Sequence, residues 1–407
     1  MPKLKNDVLV AEIDALKEQK MGKQPSKQNI QIALPSTGED EWYAVKDPIL
    51  GGWLTQGTKV AEFERLFAAR HDVPYALATT SCTTALHLAL AALGVGPGDE
   101  VIVPAFTWVA TANVVLYCGA TPVFADVNRE TFNIDVADAI GKVTEKTKAI
   151  IPVHLFGLCA DIDALRQGLP GHVKVIEDAA CAAGAMYNGR SAGTLGDAAA
   201  FSFHPRKSIT TGEGGMLTSV HPSIVETAEM LRNHGASVSE EQRHAGPRPY
   251  LLPDFNILGF NYRMTDIQGA IGAVQLSKLD AFIKERSTWA QYYREQLAEV
   301  EWLSLPREPE GGRHAWQAFV LYVAPEKAPF SRNEIMERLQ ANGIATRPGT
   351  HAVHMLNYYK QRFGLHDDDF PGARDCDLNT MAIPLHNRMS AADYEQVVSA
   401  LKSVGTS

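Results

Sequence analysis

The sequence predicts an α/β protein, with a mostly parallel sheet flanked by helices in a large lobe and a smaller α+β lobe after it. Three observations carry this. Short apolar runs alternate with helix-like stretches from residue 60 to residue 178, the pattern left by a parallel sheet wound with crossover helices. The polar motifs fall where the strand-like runs end, and ligands of such sheets gather beyond those ends. The chain has 407 residues, 45% hydrophobic and 21% charged, enough for a large core and two lobes.

Taken in order, residues 1–30 are polar and lysine-rich with one amphipathic stretch at 8–17. They read as a peripheral arm packing on a partner subunit. Val60, Phe63, Leu66 and Phe67 share one helical face over 60–70. Strands follow at 76–78, 100–103, 122–124, 149–153 and 173–176, with helices at 83–93, 108–117 and 162–165 between them. An apolar run at 198–203 reads as a further strand. Residues 235–253, with Glu240, Glu241, Arg243 and three prolines, read as a long surface loop, and loops of that length are often functional. A long helix at 265–299 leads to the smaller lobe, with a strand at 318–323 and helices at 332–341 and 391–401. The expected division is an arm over 1–45, a large domain over 46–280 and a small domain over 281–407.

Bulk properties narrow the function. A net charge of −9 without a basic block beyond the arm argues against a nucleic-acid stripe or an anionic-membrane patch. Five scattered cysteines without a CxxC pair fit neither a disulfide framework nor a structural zinc site, and no metal is expected. No apolar run approaches the roughly 20 residues of a membrane helix, and no signal peptide opens the chain. The expected compartment is the cytoplasm.

Four segments carry chemistry. Ser81-Cys82-Thr83-Thr84 joins a strand to a helix; free amides and the helix dipole suit a phosphate there, although serine and threonine also serve as plain N-caps. Trp108 stands at the next strand-to-helix turn, where an indole either lies flat on a heteroaromatic ring or joins the core. Asp178 ends an apolar strand; a carboxylate there either caps the turn or holds a proton on a ring nitrogen. Lys207 follows the run Phe201-Ser202-Phe203-His204-Pro205-Arg206 and precedes Gly212, Gly214 and Gly215. An amine so placed can be stripped of water and form an imine, while a lone lysine after a strand is ordinarily solvated. Phosphate seat, ring stacker, ring-nitrogen partner and imine lysine, in that order and at strand ends, are the parts of a pyridoxal 5′-phosphate site.

At these residues the chain resembles the fold-type I pyridoxal phosphate enzymes of the aspartate aminotransferase superfamily, and among them the DegT/DnrJ/StrS sugar aminotransferases. The resemblance rests on Gly52-Trp53-Leu54-Thr55-Gln56-Gly57, Gly98-Asp99-Glu100-Val101-Ile102-Val103-Pro104, Ile151-Pro152-Val153-His154-Leu155-Phe156-Gly157, Glu177-Asp178-Ala179-Ala180, the Lys207 run and Gly259-Phe260-Asn261-Tyr262-Arg263-Met264-Thr265-Asp266. It implies a seven-stranded central sheet. It also implies that Lys207 is the Schiff-base lysine and proton shuttle, that Asp178 pairs with the pyridine nitrogen and that Trp108 stacks on the ring. Cys82 and Thr83, through backbone and hydroxyl, and Ser202 would hold the phosphate. Asn261, with Arg263, would reach the neighbouring subunit's phosphate site, making a homodimer the minimal unit.

One departure stands at Cys181, where the family carries glutamine or histidine against the phenolic oxygen. A thiol is a weak donor, and a cysteine there serves equally as a small core residue. The expected reaction takes an amino group, from L-glutamate as donor, through the pyridoxamine form to a keto sugar: a nucleotide-linked 4-keto-6-deoxy or 3-keto sugar in amino-sugar, polysaccharide or natural-product biosynthesis. Trp53, Thr55, His154, His204, Arg347 and His351 are the candidates for substrate contact, since the resembling proteins place similar segments near sugar and diphosphate. A sugar dehydratase of the same fold would carry histidine at position 207, a sensor without turnover would need a DNA-binding module, and the spacing of His351, His354 and Cys376 matches no zinc pattern.

Overall fold

The computed structural model describes residues 29–238, 246–248 and 250–405, together with Leu9, residues 11–13, Ala15 and Leu16. Seven strands build the central sheet: β1 Tyr75–Thr79, β2 Glu100–Pro104, β3 Thr121–Ala125, β4 Thr147–Ile150, β5 Lys174–Asp178, β6 Ala198–Ser202 and β7 Gly215–Ser219. Their order is β1-β7-β6-β5-β4-β2-β3. β7 runs antiparallel to β1 and β6; the remaining pairings are parallel. Period-two alternation sends Val101, Val103, Ile176, Ala200 and Leu217 to one core and Ile102, Val175, Phe201 and Met216 to another, so both faces of the sheet are buried under helices.

The helices that position the site are α1 Thr58–His71, α2 Cys82–Ala92, α3 Ala110–Tyr117, α4 Pro222–Arg232 and α5 Asp266–Gln296. α2 starts at a capping box: Ser81 Oγ accepts from the Thr84 amide at 3.2 Å and Thr84 Oγ1 accepts from the Ser81 amide at 3.0 Å. Its first turn sits directly on β7. A Cβ on Gly215 would lie 2.5 Å from the Cys82 nitrogen, so only glycine lets the helix start approach the strand. β7 itself was not expected; its glycines read as a turn, and the strand after them is only five residues long. α4 was likewise not expected.

α5 joins two cores. Leu276, Leu279 and Ile283 pack with the sheet, whereas Trp289, Ala290 and Tyr293 pack in the small lobe. At its start Asp266 accepts from the amides of Gly57 at 2.9 Å and Val60 at 3.0 Å, capping α1 from outside. The small lobe holds β8 Leu303–Ser304, β9 Phe319–Val323, β10 Arg347–Pro348 and β11 Thr380–Ile383 in the order β8-β9-β11-β10, covered by α6 Arg332–Ala341 and α7 Ala391–Ser403. The Trp289 and Tyr394 rings stack at 4.1 Å within it.

The arm differs from expectation. Leu9, Ile13 and Ile30 are buried in the small-lobe core of their own chain, because the amphipathic stretch presents its apolar side to that lobe. Of the expected surface loop, residues 239–245 and 249 lie outside the described residues. Among the described residues, no helix is long and apolar enough to cross a membrane.

Candidate active site

The carboxyl ends of β5 and β6, the start of α2 and the edge of the small lobe enclose a cavity of about 310 Å³. Parallel strands end on the same side, and the chain must turn there, so polar side chains collect at one mouth. Lys207 stands in the loop between β6 and β7, its amide donating to the His204 carbonyl at 2.8 Å. Its Nζ donates to Cys181 Sγ at 3.1 Å.

Asp178 closes β5 and is 5% exposed. Thr111 Oγ1 donates to its Oδ2 at 2.8 Å and the Ala180 amide to its Oδ1 at 3.2 Å. Thr111 lies one turn after Trp108, close to the start of α3, which aims its hydroxyl at the strand end. Burial pushes the Asp178 carboxyl above the ordinary carboxylate range, against the pull of the Thr111 hydroxyl, the Ala180 amide and the charge of Lys207. A buried acid so short of positive charge fits a protonated ring nitrogen.

At the other end, Ser81 is occupied as N-cap, yet the helix ladder has no carbonyl for the Cys82 and Thr83 amides. Capping and phosphate binding are therefore compatible on this turn. The Cys82 thiol points away from it, toward the Ala200 carbonyl at 3.4 Å and Asp178 at 4.0 Å, so only its backbone faces a phosphate. Burial raises that thiol well above its usual range. Ser202, also on the cavity wall, accepts from the His204 amide at 3.4 Å.

Trp108 is no core residue. It is 60% exposed and forms one wall of the cavity, with the His351 ring 5.7 Å away. His351 comes there because 351–352 pairs antiparallel with 106–107, tying the small lobe to the turn that bears Trp108. His204, Arg206 and Arg347 also line the cavity; burial lowers His204 and Arg347 from their ordinary values.

His154 requires a correction. It does not line the cavity, and its side chain is wholly buried. Its Nδ1 accepts from the Ala160 amide at 3.0 Å, which leaves the proton on Nε2 to donate to Glu177 Oε2 at 2.8 Å. Glu177 also accepts from the amides of Gly193, Leu195 and Gly196 at 2.7–2.8 Å. The backbone of His154 donates to the Asp178 carbonyl at 3.0 Å, so this histidine braces the strand end rather than meeting a sugar.

Trp53 and Thr55 lie outside the cavity wall of their own chain, in the turn before α1, where the Trp53 indole donates to the Gln56 carbonyl at 3.1 Å. Asn261 is exposed, bridges to Asn233 through its backbone and is likewise outside that wall. Arg263 donates to Asn233 Oδ1 at 2.7 Å.

Sequence reasoning missed Thr111, Glu177, Arg206, Glu213 and Gln317. Helical spacing from Trp108 could have found Thr111. Nothing local marks Gln317, which arrives from the small lobe and donates to the Arg206 carbonyl at 2.7 Å. It is placed by two aromatic residues in the left-handed region, Phe156 (φ 59°) and Trp316 (φ 48°), a conformation uncommon for bulky residues. Their backbones interlock: Ala315 donates to the Gly157 carbonyl at 2.9 Å and Gln317 to the Phe156 carbonyl at 3.1 Å. Gly157 is at φ 107°, and a Cβ there would lie 3.0 Å from the Trp316 nitrogen. The buried guanidinium of Arg286 fixes the turn by donating to the carbonyls of Trp316 and Gln317.

A sheet of this order, with a buried strand-end acid and a loop lysine sharing one cavity with a helix start, defines a pyridoxal phosphate-dependent transaminase. Comparison with known proteins gives the same class and sharpens it: residues 35–402 match the DegT/DnrJ/EryC1/StrS aminotransferase family, and the chain belongs to it. It is 39% identical over 378 residues to GDP-perosamine synthase of Caulobacter vibrioides, covering 92% of this chain and 98% of that one. It is 38% identical over 374 residues to the spore coat polysaccharide biosynthesis protein SpsC of Bacillus subtilis, covering 91% and 96%. A solved structure from Streptococcus pneumoniae, Spr1654, described as a sugar aminotransferase in its PLP form, superposes with a TM-score of 0.85 at 30% identity over 93% of this chain and 99% of that one. The protein is a pyridoxal phosphate-dependent sugar aminotransferase.

Proposed function

We propose that the protein moves the amino group of L-glutamate to the carbonyl carbon of a nucleotide-linked keto sugar, a 4-keto-6-deoxy or 3-keto sugar, and works as a homodimer. The observation that carries this reading is the single cavity in which Lys207 and Asp178 face an opening walled by Trp108, His351 and two guanidiniums. The name of the Caulobacter relative, which carries a GDP-linked amino sugar, supports the substrate class.

When bound, pyridoxal phosphate supplies the aldehyde that takes up the amino group and a ring that withdraws electron density from the reacting carbon. Asp178 would hold the proton on the ring nitrogen from its buried seat, where an ion pair is poorly screened. The Cys82 and Thr83 amides and the Ser202 hydroxyl would receive the phosphate, and the Trp108 indole on the cavity wall would pack on the ring. Lys207 Nζ takes the α-proton from the donor and later gives a proton to the sugar carbon, which sets the new stereocentre. Cys181 Sγ accepts from that amine at 3.1 Å.

A dimer is supported by apolar side chains left at the surface, among them Trp42, Tyr43 and Leu50 on one segment and Leu252, Phe255 and Leu258 on another, Leu258 at 91% exposure. Trp53, Thr55 and Asn261, displayed outside their own cavity, suit contact with a partner's site. Incubating the purified protein with cofactor, glutamate and UDP-, GDP- and dTDP-linked keto sugars, followed by product mass, tests the reading. An amino sugar from at least one substrate is expected. Conversion of glutamate with no sugar aminated would overturn it.

A further inference from the structure

Lys207 carries its amine on a flexible four-carbon stem, so the reach of that amine depends on where the backbone of its loop is held. Residues 203–214 close on themselves. The Phe203 carbonyl accepts from Thr210 Oγ1 at 2.8 Å and from the Thr211 amide at 3.0 Å, and the Phe203 amide donates to the Gly214 carbonyl at 2.9 Å. These bonds fix the shape of the loop and leave its seat on the rest of the molecule to other groups.

Three carboxamides reach the loop backbone from outside. Gln317 Nε2 donates to the Arg206 carbonyl at 2.7 Å, Gln268 Nε2 donates to the Glu213 carbonyl at 2.7 Å, and Gln275 Oε1 accepts from the Thr210 amide at 3.2 Å. Gln268 and Gln275 lie two turns apart on α5 and share a face of it. Gln275 is the deepest of the three, 1% exposed, and its other end grips a distant segment: Nε2 donates to the Ser36 carbonyl at 2.9 Å and to Glu41 Oε1 at 2.8 Å. Both amide hydrogens meet acceptors and the oxygen meets a donor, so a flipped carboxamide would set like against like at Glu41 and at Thr210. Glu41 is fixed in turn. It is buried, its Oε2 accepts from the Gly38 amide at 2.7 Å, and its Oε1 accepts from Lys278 Nζ, one turn beyond Gln275, at 2.7 Å.

Resting on the reading of Lys207 as the amine that binds the cofactor, we infer that Gln275 is a positioning residue for that amine: its carboxamide, oriented by Glu41, locks the Lys207 loop to segment 36–41. Gln275 does not line the cavity and acts only through the backbone three residues after Lys207. Without it the loop keeps its internal bonds and loses its register on α5, and a misplacement of about 1 Å between reacting groups can cost on the order of a hundredfold in rate.

The test reads Lys207 before any sugar is involved. One measurement is the rate at which cofactor-free protein captures pyridoxal phosphate, amine and aldehyde condensing with loss of water, followed by absorbance and confirmed by borohydride labelling. The other is the rate of the first half-reaction with glutamate. Q275M, which keeps the length and loses the polar atoms, is expected to slow both about tenfold while the Kd of unreactive glutarate stays within about twofold. Q275E keeps an acceptor for the Thr210 amide but sets a carboxylate against Glu41, and is expected to be slowed as well. The exchange E41Q/Q275E restores a donor facing an acceptor and is expected to return both rates to within about threefold of wild type; this pair decides the question should Q275M fail to fold. Rates in Q275M within about twofold of wild type, with only the urea midpoint lowered, would show a brace of the fold alone and overturn the inference, as would an exchange that recovers the midpoint and not the rates. Wild-type protein labelled on another lysine would fail the Lys207 reading itself, whereas protein that captures the cofactor on Lys207 and aminates no sugar would fail the sugar reading and leave this comparison intact.

Discussion

The floor and the rim of the cavity are built on opposite terms. At the floor, the buried acids and the histidine beside them have their partners: Asp178 is held by Thr111 and Ala180, Glu177 by three amides and His154, and His154 by Glu177 and Ala160. At the rim, Arg347 keeps one long bond, Trp108 is mostly exposed and His351 faces solvent. A saturated buried network fixes geometry, which suits chemistry common to every substrate. Unsatisfied, accessible groups cost less to exchange and suit the discrimination of one substrate from another.

The largest effect is expected at the floor. Asp178→Asn leaves the ring nitrogen without its buried charge partner, a loss of about 3–5 kcal/mol, read as a drop in kcat/KM and in cofactor affinity. A variant that keeps near-normal turnover would show that the floor is not specialised for the ring.

His154→Ala comes next and separates bracing from substrate contact. Removing the ring empties buried volume and strands Glu177 and the Ala160 amide, costing about 2–4 kcal/mol in denaturant unfolding. The sugar KM is expected to stay within about twofold; a large rise in KM at unchanged stability would return His154 to the substrate.

A pH response extends the comparison. His71 is stacked on Phe67 and accepts from the Gly184 amide beneath the floor. Burial lowers its pKa to about 3, against the pull of its hydrogen bond to the Phe67 carbonyl. It stays neutral when folded, while the unfolded chain takes up a proton near the ordinary 6.5. The unfolded state therefore binds more protons between those values, and stability falls as pH drops through that window, by up to about 1.4 kcal/mol per unit. Urea midpoints against pH should show this slope together with that of His314, which burial also lowers to about 3, and His71→Asn should reduce it. An unchanged slope in the variant would assign the response elsewhere.

The smallest change belongs to the rim. Trp108→Leu removes a ring contact worth about 0.5–1.5 kcal/mol, seen as weaker cofactor binding with the fold intact. A loss as large as that at Asp178 would erase the distinction between floor and rim.

What the sequence made legible follows the same line. That Asp178 and Lys207 meet on one cavity wall could be read because Asp178 ends an apolar strand and Lys207 stands in the loop after another, and a strand end in a parallel sheet is a place where ligands gather. His154 stands at such an end too, but the side of the strand its ring takes depends on Glu177 and on the 193–196 turn, which no local pattern announces. β7 was hidden by its glycines: Gly215 is required for contact with the start of α2, while Gly212, at φ 85°, serves the turn before it. Gln317 comes from the interlock of two lobes at Phe156 and Trp316, a relation between segments about 160 residues apart that spacing cannot carry. Leu9 and Ile13 of the arm meet the small lobe of their own chain, a contact between distant segments that local spacing does not announce.

The central claim is that the cofactor is held covalently by the amine beside Cys181. Borohydride reduction of the pyridoxal phosphate-loaded protein, followed by peptide mapping, should place the label on Lys207, and Lys207→Ala should carry no label and no turnover. A label on another lysine, or transamination that survives in Lys207→Ala, would contradict the account.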